Sequence, residues 1–522
     1  MAKFLKDLKF NEEARAKLLK GINIVAEAVG STLGPLGRNV AVDTYRDVDL
    51  PPTVLHDGVS VARAINVPDQ FEDQGVRLLK TAALKTNETA GDGTTTSTIL
   101  AQAIVNEAFK VIAAGNNPMV LKQEIEAGLK LVLAELKKLA KPISTDEEIV
   151  QVATISSADS SLGQIVAEAI KQIGKDGVVS VEEGSGFETT VEYKQGMEID
   201  RGYLSPYFVT EDKSVEAIIE NPYILLTDKK LNWAHEVMPF LEKFIQETQS
   251  RDLVIFAGEV LEEAMAVLVA NKLRGVLHVC AIQAPAFGGR RLDELEDIAT
   301  LVGGKVLMED SGRGLDKVEV AELGRAEKII ADRDKTIIYG GAGDKGAIEK
   351  RMNDLREQIK IGNTPFDKDI KQERLAKLAG SVAVINVGAA TKVEMDDKKE
   401  RVIDAVAATK AAIAEGIVAG GEITLLKLSS LGKGILFDAL KAPFKRLMEN
   451  SGLDYAEIRE KMSGSEYPQG IDVTDGQIKH LIEAGIIDPV KVTRCALENA
   501  CSVALMVITT NVLISDAFKE EK

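Results

Sequence analysis

Aromatic residues are scarce in this chain of 522 residues: they make up 4% of it, with a single tryptophan. Because 45% of the residues are hydrophobic, the core has to be mostly aliphatic. Cysteine is rarer still, and three cysteines exclude a disulfide framework and indicate a reducing compartment. We therefore expect a cytoplasmic protein. The four histidines show no zinc-type spacing with the cysteines, which argues against a structural zinc site.

Positive charge is also in deficit, since the formal net charge is −17 at pH 7. Such an acidic chain is unsuited to nucleic acid, so we expect no nucleic-acid partner. No run approaches the roughly 20 apolar residues of a membrane span, and the N-terminal residues lack the apolar segment of a signal peptide. We expect no membrane partner either. The length allows roughly three domains.

The most informative stretch is AGDGTTTSTIL at residues 90–100, where two glycines flank Asp92 and three threonines precede an apolar segment with helical period. A glycine-bounded loop that enters a helix presents free backbone N–H groups and the positive end of the helix dipole, which together bind phosphate. Asp92 is a hard oxygen ligand suited to Mg²⁺. The alternative is an ordinary helix start capped by a threonine. The chain has no Walker A pattern.

The composition predicts a discontinuous architecture. Residues 1–140 and the last hundred residues are rich in alanine and leucine with helical periodicity. Between residues 196 and 380, short apolar runs alternate with helical stretches, which indicates parallel β-α-β units. We predict a multidomain α/β protein in which both chain ends build one domain and an α/β domain is inserted between them.

A second glycine pattern, GAGDKG at residues 341–346, has the form of a dinucleotide fingerprint and follows a strand-like segment. No further strand follows within the ~30 residues that such a unit needs, so a helix-start turn is the favoured interpretation. A dehydrogenase-like enzyme that binds a nicotinamide cofactor stays as an alternative.

Several short motifs occur in a fixed order along almost the whole chain. They are TLGP (32–35), DGVS (57–60), AGDGTTT (90–96), VGAAT (387–391), AGG (419–421) and DP (488–489). This ordered set resembles the group I chaperonins, the bacterial GroEL class. The resemblance implies an equatorial ATPase domain (1–138 and 415–522), an intermediate hinge domain (139–194 and 383–414) and an apical domain that binds substrate and lid (195–382).

The same resemblance implies a function. Group I chaperonins form seven-membered rings, usually stacked in pairs, and bind non-native proteins on apolar apical surfaces. They encapsulate these clients with a GroES-type co-chaperonin and use ATP, Mg²⁺ and K⁺. We therefore expect a chaperonin ATPase and a homo-oligomer. The alternatives are a ring-forming holdase with weak or no productive hydrolysis, and an archaeal-type chaperonin with a built-in helical protrusion, for which residues 196–382 show no extra segment.

The resemblance also assigns roles to single residues. Asp57 lies beside the γ-phosphate, Asp404 orients the attacking water, and Asp92 holds Mg²⁺. The other residues of the nucleotide site are Thr32, Leu33, Gly34, Pro35, His56, Gly93, Thr94, Thr95, Thr96, Gly421, Asp472 and Asp488. This set fits phosphoryl transfer, which needs positioning and charge neutralisation more than a nucleophilic side chain.

An apolar groove for unfolded chains and for the lid is the second site implied by the resemblance. Its residues are Tyr203, Tyr207, Phe208, Met238, Leu241, Met265, Val269 and Ala270. The alternative is that apolar residues at helical spacing belong to the core. In the segment after residue 260, Ala264 and Leu268 form one face with Leu261, while Met265 and Val269 form another, so one face can pack inward and leave the other exposed.

The chain departs from the family pattern at several positions. His56 stands where the family usually has lysine, and Glu422 where it has a third glycine; Leu36, Ser381 and Gly289 are further departures, and the loop at 44–52 is longer than usual. An imidazole is mostly uncharged near neutral pH. We expect weaker or more pH-dependent ATP turnover than with lysine, which a comparison with His56→Lys measures.

Overall fold

The computed structural model describes residues 6–43, 53–174, 177–184, 186–211, 215–361 and 365–516. The chain forms two units, in which unit 1 combines Met1–Glu168, Glu183–Thr190 and Val387–Lys522, and unit 2 combines Ala169–Glu182 and Val191–Asn386. The predicted fold class, an α/β part inserted between two helical chain ends, is confirmed. The finer boundaries of three domains stay a prediction, and the loop at 44–52 lies outside the described residues.

The helices are α1 (Asn11–Gly30), α2 (Gly58–Ala64), α3 (Gln70–Ala90), α4 (Thr94–Ala113), α5 (Pro118–Leu139), α6 (Asp146–Ser157), α7 (Ser160–Ile173), α8 (Ala234–Thr248), α9 (Glu262–Leu273), α10 (Gly289–Val302), α11 (Lys345–Ile361), α12 (Pro365–Ala379), α13 (Lys392–Glu415), α14 (Ile423–Leu428), α15 (Ile435–Ala439), α16 (Ala442–Asn450), α17 (Tyr455–Lys461) and α18 (Val490–Thr509).

The strands are β1 (Lys6–Phe10), β2 (Val40–Val42), β3 (Thr53–Leu55), β4 (Val178–Glu183), β5 (Thr190–Ile199), β6 (Ala217–Glu220), β7 (Tyr223–Thr227), β8 (Lys230–Leu231), β9 (Asp252–Ala257), β10 (Glu259–Val260), β11 (His278–Gln283), β12 (Val306–Leu307), β13 (Gly324–Ala331), β14 (Thr336–Gly341), β15 (Ser381–Val387), β16 (Ile417–Ala419), β17 (Gln469–Asp472), β18 (Gln477–His480), β19 (Ile487–Pro489) and β20 (Val512–Asp516).

Unit 1 is built on α1, α3, α4 and α18, which pack against one another around an aliphatic core. Glycine allows α1 and α3 to approach closely: a Cβ added to Gly21 would lie 1.9 Å from the carbonyl oxygen of Glu72. The two ends of the chain meet where β1 pairs antiparallel with β20, with Lys6 opposite Asp516. Helix packing and this strand pair together join residues from both ends into one unit.

Two sequence expectations for unit 1 need correction. The sequence predicts Asn11 as the cap of the first helix, because asparagine favours that position and two glutamates follow it. In the structure, Asn11 is instead the first residue of α1, and its N–H donates to the carbonyl oxygen of Asn511 at 2.9 Å. The β1–β20 pairing therefore sets this helix start. We also expected no segment long and apolar enough to span a membrane. This is wrong for α18, which meets the criterion by its length and composition. That helix packs in the core, with 61% of its apolar window buried.

Unit 2 contains a ten-stranded mixed sheet with the order β11-β9-β7-β13-β14-β5-β15-β4, to which β12 adds on β7 and β6 on β13. The strands β11, β9, β7 and β12 are parallel, as the alternation of strands and helices predicts. Helix α9 packs on β11, and α10 packs on β7 and β12. The parallel part is therefore the α/β layer expected between residues 196 and 380.

The dinucleotide interpretation of residues 341–346 is wrong. Strand β14, which precedes this turn, pairs antiparallel with both β13 and β5, so it is not part of a parallel β-α-β unit. The glycines have a packing role instead. A Cβ added to Gly341 would lie 2.3 Å from the carbonyl oxygen of Leu301, and one added to Gly343 would lie 2.0 Å from that of Thr300.

Candidate nucleotide-binding site

The loop between α3 and α4 has the conformation that its sequence predicts. Gly91 ends α3 with a φ of 71°, and Gly93 precedes α4 with a φ of 81°, so both glycines adopt left-handed backbone. No side chain caps α4, which makes the alternative of a threonine cap wrong. The N–H groups of the first turn, at Thr94, Thr95 and Thr96, have no acceptor within the helix and lie at the positive end of its dipole.

Close packing around this loop brings α13 and α18 beside it. A Cβ added to Gly91 would lie 2.0 Å from Cβ of Ala407, and one added to Gly93 would lie 2.6 Å from Cγ1 of Val492. Because Ala407 follows Asp404 by less than one helical turn, its contact with Gly91 places Asp404 near Asp92. The glycines thus allow the left-handed turn and also let α13 pack close enough to bring Asp404 near the loop.

Three carboxylates that were predicted to act on ATP lie close enough to influence one another. Ser60 N–H donates to Oδ2 of Asp57 at 2.7 Å, and Ser156 Oγ donates to Oδ2 of Asp92 at 3.2 Å. Burial raises the pKa of Asp92, and the charge of Asp57 adds to the effect. Burial, and then the charges of Asp92 and Asp57, raise the pKa of Asp404 well above its ordinary value.

Two more carboxylates border this cluster. Burial raises the pKa of Asp488 well above its ordinary value, and the charges of Glu422 and Asp92 act in the same direction. Burial also raises the pKa of Glu422 to about 7, with a further contribution from Asp92, although a hydrogen bond from Thr96 opposes it. The site therefore concentrates negative charge, and a bound cation would relieve the mutual repulsion.

The donor set fits Mg²⁺ and phosphate in its chemistry. Carboxylate and hydroxyl oxygens are ligands that Mg²⁺ accepts, and Mg²⁺ usually takes only one or two carboxylates together with substrate phosphates and water. In the described part of the chain, no three His, Cys, Asp or Glu side chains converge as a preformed metal cage. Asp92 would therefore hold the ion together with the nucleotide.

The turn TLGP lies beside the start of α4, as predicted. The hydroxyl oxygens of Thr32 and Thr95 are 3.4 Å apart, and Gly34 has a φ of 84°. The side chain of Asn450 donates to the carbonyl oxygen of Leu33 at 3.0 Å and so fixes this turn against α16. Pro35 is the last residue of this turn motif. These contacts place the two sequence-predicted phosphate segments side by side.

Gly421 and Asp472 lie on the other border of the site. Gly421 has a φ of 61°, and a Cβ added to it would lie 4.0 Å from the carbonyl oxygen of Ile471 in β17. The carboxylate of Asp472 is engaged in its own hairpin, where it accepts a 2.7 Å bond from Lys479 Nζ. Burial acts to raise the pKa of Asp472, but the hydrogen bonds from Lys479 and Thr474 outweigh it and hold that pKa below its ordinary value. Its role toward a nucleoside stays a prediction.

His56 precedes Asp57 and has a partner of its own. Its Nδ1 lies 2.9 Å from Oδ1 of Asn39, so the Nδ1–H tautomer donates to that amide oxygen. Asn39 thereby orients the ring next to the site.

Sequence reasoning missed Ser156, which binds Asp92, and the partner of Glu422. No local signal identifies either contact, since Ser156 is 64 residues from Asp92 and Glu422 is 326 residues from Thr96.

The residues predicted for the apolar groove in unit 2 differ in exposure, and their role in binding stays a prediction. Tyr203, Phe208 and Leu241 are buried in the core, because residues 203–208 lie along the edge strand β11 and Leu241 faces inward from α8. Tyr207 is 64% exposed and Met238 37% exposed, while Met265, Val269 and Ala270 are half-buried.

Helices α8 and α9 start side by side, because β8 and β10 pair in parallel just before them. Trp233 and Leu261, which immediately precede these helices, are 51% and 41% exposed. Ala264 and Leu268 face the core, as one of the two alternatives for α9 allowed. Two exposed apolar residues therefore lie at the start of the helix pair, and Trp233 is one that the sequence analysis did not predict.

An α/β unit inserted between helical chain ends, with a glycine-bounded carboxylate site in the helical unit, is the architecture of a chaperonin subunit. The chain belongs to the TCP-1/cpn60 chaperonin family, whose family model matches residues 25–517. The resemblance to the group I type is confirmed.

Solved structures agree on the fold. The chain is similar to the chaperonin gp146 from the bacteriophage EL 2 (Pseudomonas aeruginosa), crystallised in the presence of ATP-BeFx. One crystal form gives a TM-score of 0.72 at 22% identity and covers 97% of this chain and 98% of gp146. A second form gives a TM-score of 0.65 at 21% identity and covers 98% and 99%. This likeness shows the fold.

Proposed function

We propose that this chaperonin binds and hydrolyses ATP, and couples hydrolysis to the folding of non-native proteins in seven-membered rings that stack in pairs and close with a GroES-type co-chaperonin. The convergence of Asp57, Asp92 and Asp404 on the uncapped start of α4 carries the proposal. The similar phage chaperonin was crystallised in the presence of ATP-BeFx, which supports the proposal that this chain binds a nucleotide. The three cysteines of the described chain are free and buried, which agrees with the cytoplasmic location that we propose.

The residues of the site divide the work of phosphoryl transfer among them. The N–H groups and hydroxyls of Thr94, Thr95 and Thr96 donate to phosphate oxygens. Mg²⁺ on Asp92, with K⁺ nearby, would neutralise phosphate charge. Asp404 accepts a hydrogen bond from the attacking water, and Asp57 lies beside the γ-phosphate. Because a cation favours the ionised form of neighbouring carboxyl groups, bound Mg²⁺ would also favour the carboxylate form of Asp404, which accepts such a bond.

The test is ATP hydrolysis by the purified protein, with its mass read by light scattering in the same sample. Large rings with Mg²⁺-dependent hydrolysis would support the proposal. Large rings without hydrolysis would favour the second candidate, a passive holdase. A monomer without hydrolysis would contradict both the ring and the ATPase.

The holdase candidate rests on the exposed apolar residues of unit 2. Tyr207, Trp233, Met238 and Leu261 present aromatic and flexible side chains that suit varied apolar partners, and their exposure requires no nucleotide. His56, which stands where the family usually has lysine, is consistent with slow turnover.

Client binding gives a prediction with a matched control. Met238 and Met308 are both 37% exposed in unit 2, but only Met238 lies on the helix pair α8 and α9. We expect Met238→Ser to weaken the capture of an unfolded client about threefold to tenfold, since it removes apolar contact area worth about 1 kcal/mol. Met308→Ser should leave capture unchanged. Suppression of aggregation of a denatured test protein measures both, and equal losses would contradict a binding site on α8.

A further inference from the structure

Glu422 stands inside the candidate nucleotide site, although no role in catalysis follows from its position. Its Oε1 accepts a hydrogen bond of 2.6 Å from the hydroxyl of Thr96. Thr96 is the third residue of α4, whose uncapped start is the proposed phosphate-binding position. The Thr96 hydroxyl, which is expected to donate to a phosphate oxygen, therefore already donates its proton to a carboxylate oxygen of Glu422.

The backbone of Glu422 is as unusual as its partner. Glu422 lies just before α14 with a φ of 59°, a left-handed conformation that favours glycine over residues with a Cβ. It follows Gly420 and Gly421, so the chain keeps a glutamate where the local geometry favours a third glycine. A residue held in such a conformation by a specific contact is a sign of function more than of stability.

The carboxyl groups around Glu422 repel its negative charge. Asp92 acts on Glu422, and Glu422 in turn acts on Asp488, so the charged groups identified next to it are both anionic. Asp488 packs close to this glycine turn, since a Cβ added to Gly420 would lie 3.0 Å from Oδ1 of Asp488. The hydrogen bond from Thr96 is a favourable contact that offsets this repulsion at the Glu422 side chain.

We propose that Glu422 is a latch on the nucleotide site. It lowers nucleotide affinity because it accepts the hydrogen bond of the Thr96 hydroxyl until a phosphate oxygen displaces it. A threonine hydroxyl has one proton to donate, so Glu422 and a phosphate oxygen compete for it. The displaced carboxylate also places a negative charge beside the incoming phosphates. The inference rests on the proposed function, because it requires that a nucleotide bind at α4.

Titration with AMP-PNP and Mg²⁺, followed by calorimetry, tests the latch without any need for hydrolysis. We expect Glu422→Gly to tighten binding about tenfold, because it removes both the competing acceptor and the charge. Glu422→Gln should give a smaller gain, since its amide oxygen still accepts from Thr96 while the charge is gone. Glu422→Gln also keeps the side-chain size and the backbone demand, so a gain in both variants does not come from backbone relief.

A double-mutant cycle separates competition from a structural role. If Glu422 competes for Thr96, then Thr96→Val costs little binding in the wild type, where its proton is already engaged, and about tenfold more in the Glu422→Gly background. Equal costs in both backgrounds would overturn the latch, as would unchanged or weaker binding in Glu422→Gly. If neither the wild type nor any variant binds AMP-PNP, the proposed nucleotide site falls together with the latch. Binding that is seen only after Glu422→Gly would support both.

Discussion

Replacing Asp404 with alanine is expected to lower the rate of ATP hydrolysis by about 100-fold or more, the usual contribution of a group that positions or activates the attacking water. Asp404 lies on α13 near Asp92 and Asp57, whose charges raise its pKa. Its removal takes away the proposed acceptor for the attacking water but leaves Asp92 and the threonines of α4 in place. Nucleotide should therefore still bind.

Asp397→Asn is the matched control for this prediction. Asp397 lies on the same helix, is exposed, and pairs with Arg401 one turn later, so its loss should change hydrolysis by less than about twofold. Steady-state phosphate release and AMP-PNP titration give the two readouts. If Asp404→Ala hydrolysed ATP at the rate of Asp397→Asn, Asp404 would have no part in the chemistry, and the water would have to be positioned by another group.

The second large effect is on stability. Asp297 on α10 accepts bonds of 2.7 Å from Nε of Arg374 on α12 and from Nε of Arg351 on α11. The Asp297 and Arg374 side chains are only 4% and 8% exposed. We expect Asp297→Asn to lower the free energy of unfolding of unit 2 by about 3–5 kcal/mol, because it removes the buried counter-charge of Arg374 and leaves only the exposed carboxylate of Asp293.

The single tryptophan makes this measurable. Trp233 belongs to unit 2, so its fluorescence during denaturation reports the unfolding of that unit. Asp293 lies on the same helix and also pairs with Arg374, but it is 56% exposed, so Asp293→Asn should cost about 0–1 kcal/mol. Equal losses of unfolding free energy in the two variants would show that burial does not make the Asp297 pair more important for stability than the exposed Asp293 pair.

Local features were predictable from the sequence because they depend on near neighbours. The glycines around Asp92 require left-handed backbone and the threonines after them favour a helix start, so the turn into α4 followed from eleven consecutive residues. The alternation of strands and helices between residues 223 and 283 likewise predicted the parallel layer of unit 2. The dinucleotide pattern at 341–346 shows the limit, because strand direction decides its meaning and a local pattern does not contain it.

The apolar surface shows the same limit in another way. Periodicity divides α9 into two apolar faces but does not say what covers each of them. Phe208 and Leu241 were predicted to belong to the apolar groove and are buried, because β11 and the inner side of α8 surround them. Trp233 was not predicted and is exposed, because the pairing of β8 with β10 places it at the start of the helix pair.

By itself, the sequence determined the element types, the phosphate-type turn and the family, since these rest on local propensity and on the order of motifs along the chain. Only the tertiary structure decided which side chains meet. Asp92 lies near Asp404 because glycines let α13 pack closely on the loop, and Thr96 meets Glu422 across 326 residues. Such contacts depend on how distant elements pack, and neither composition nor spacing records that packing.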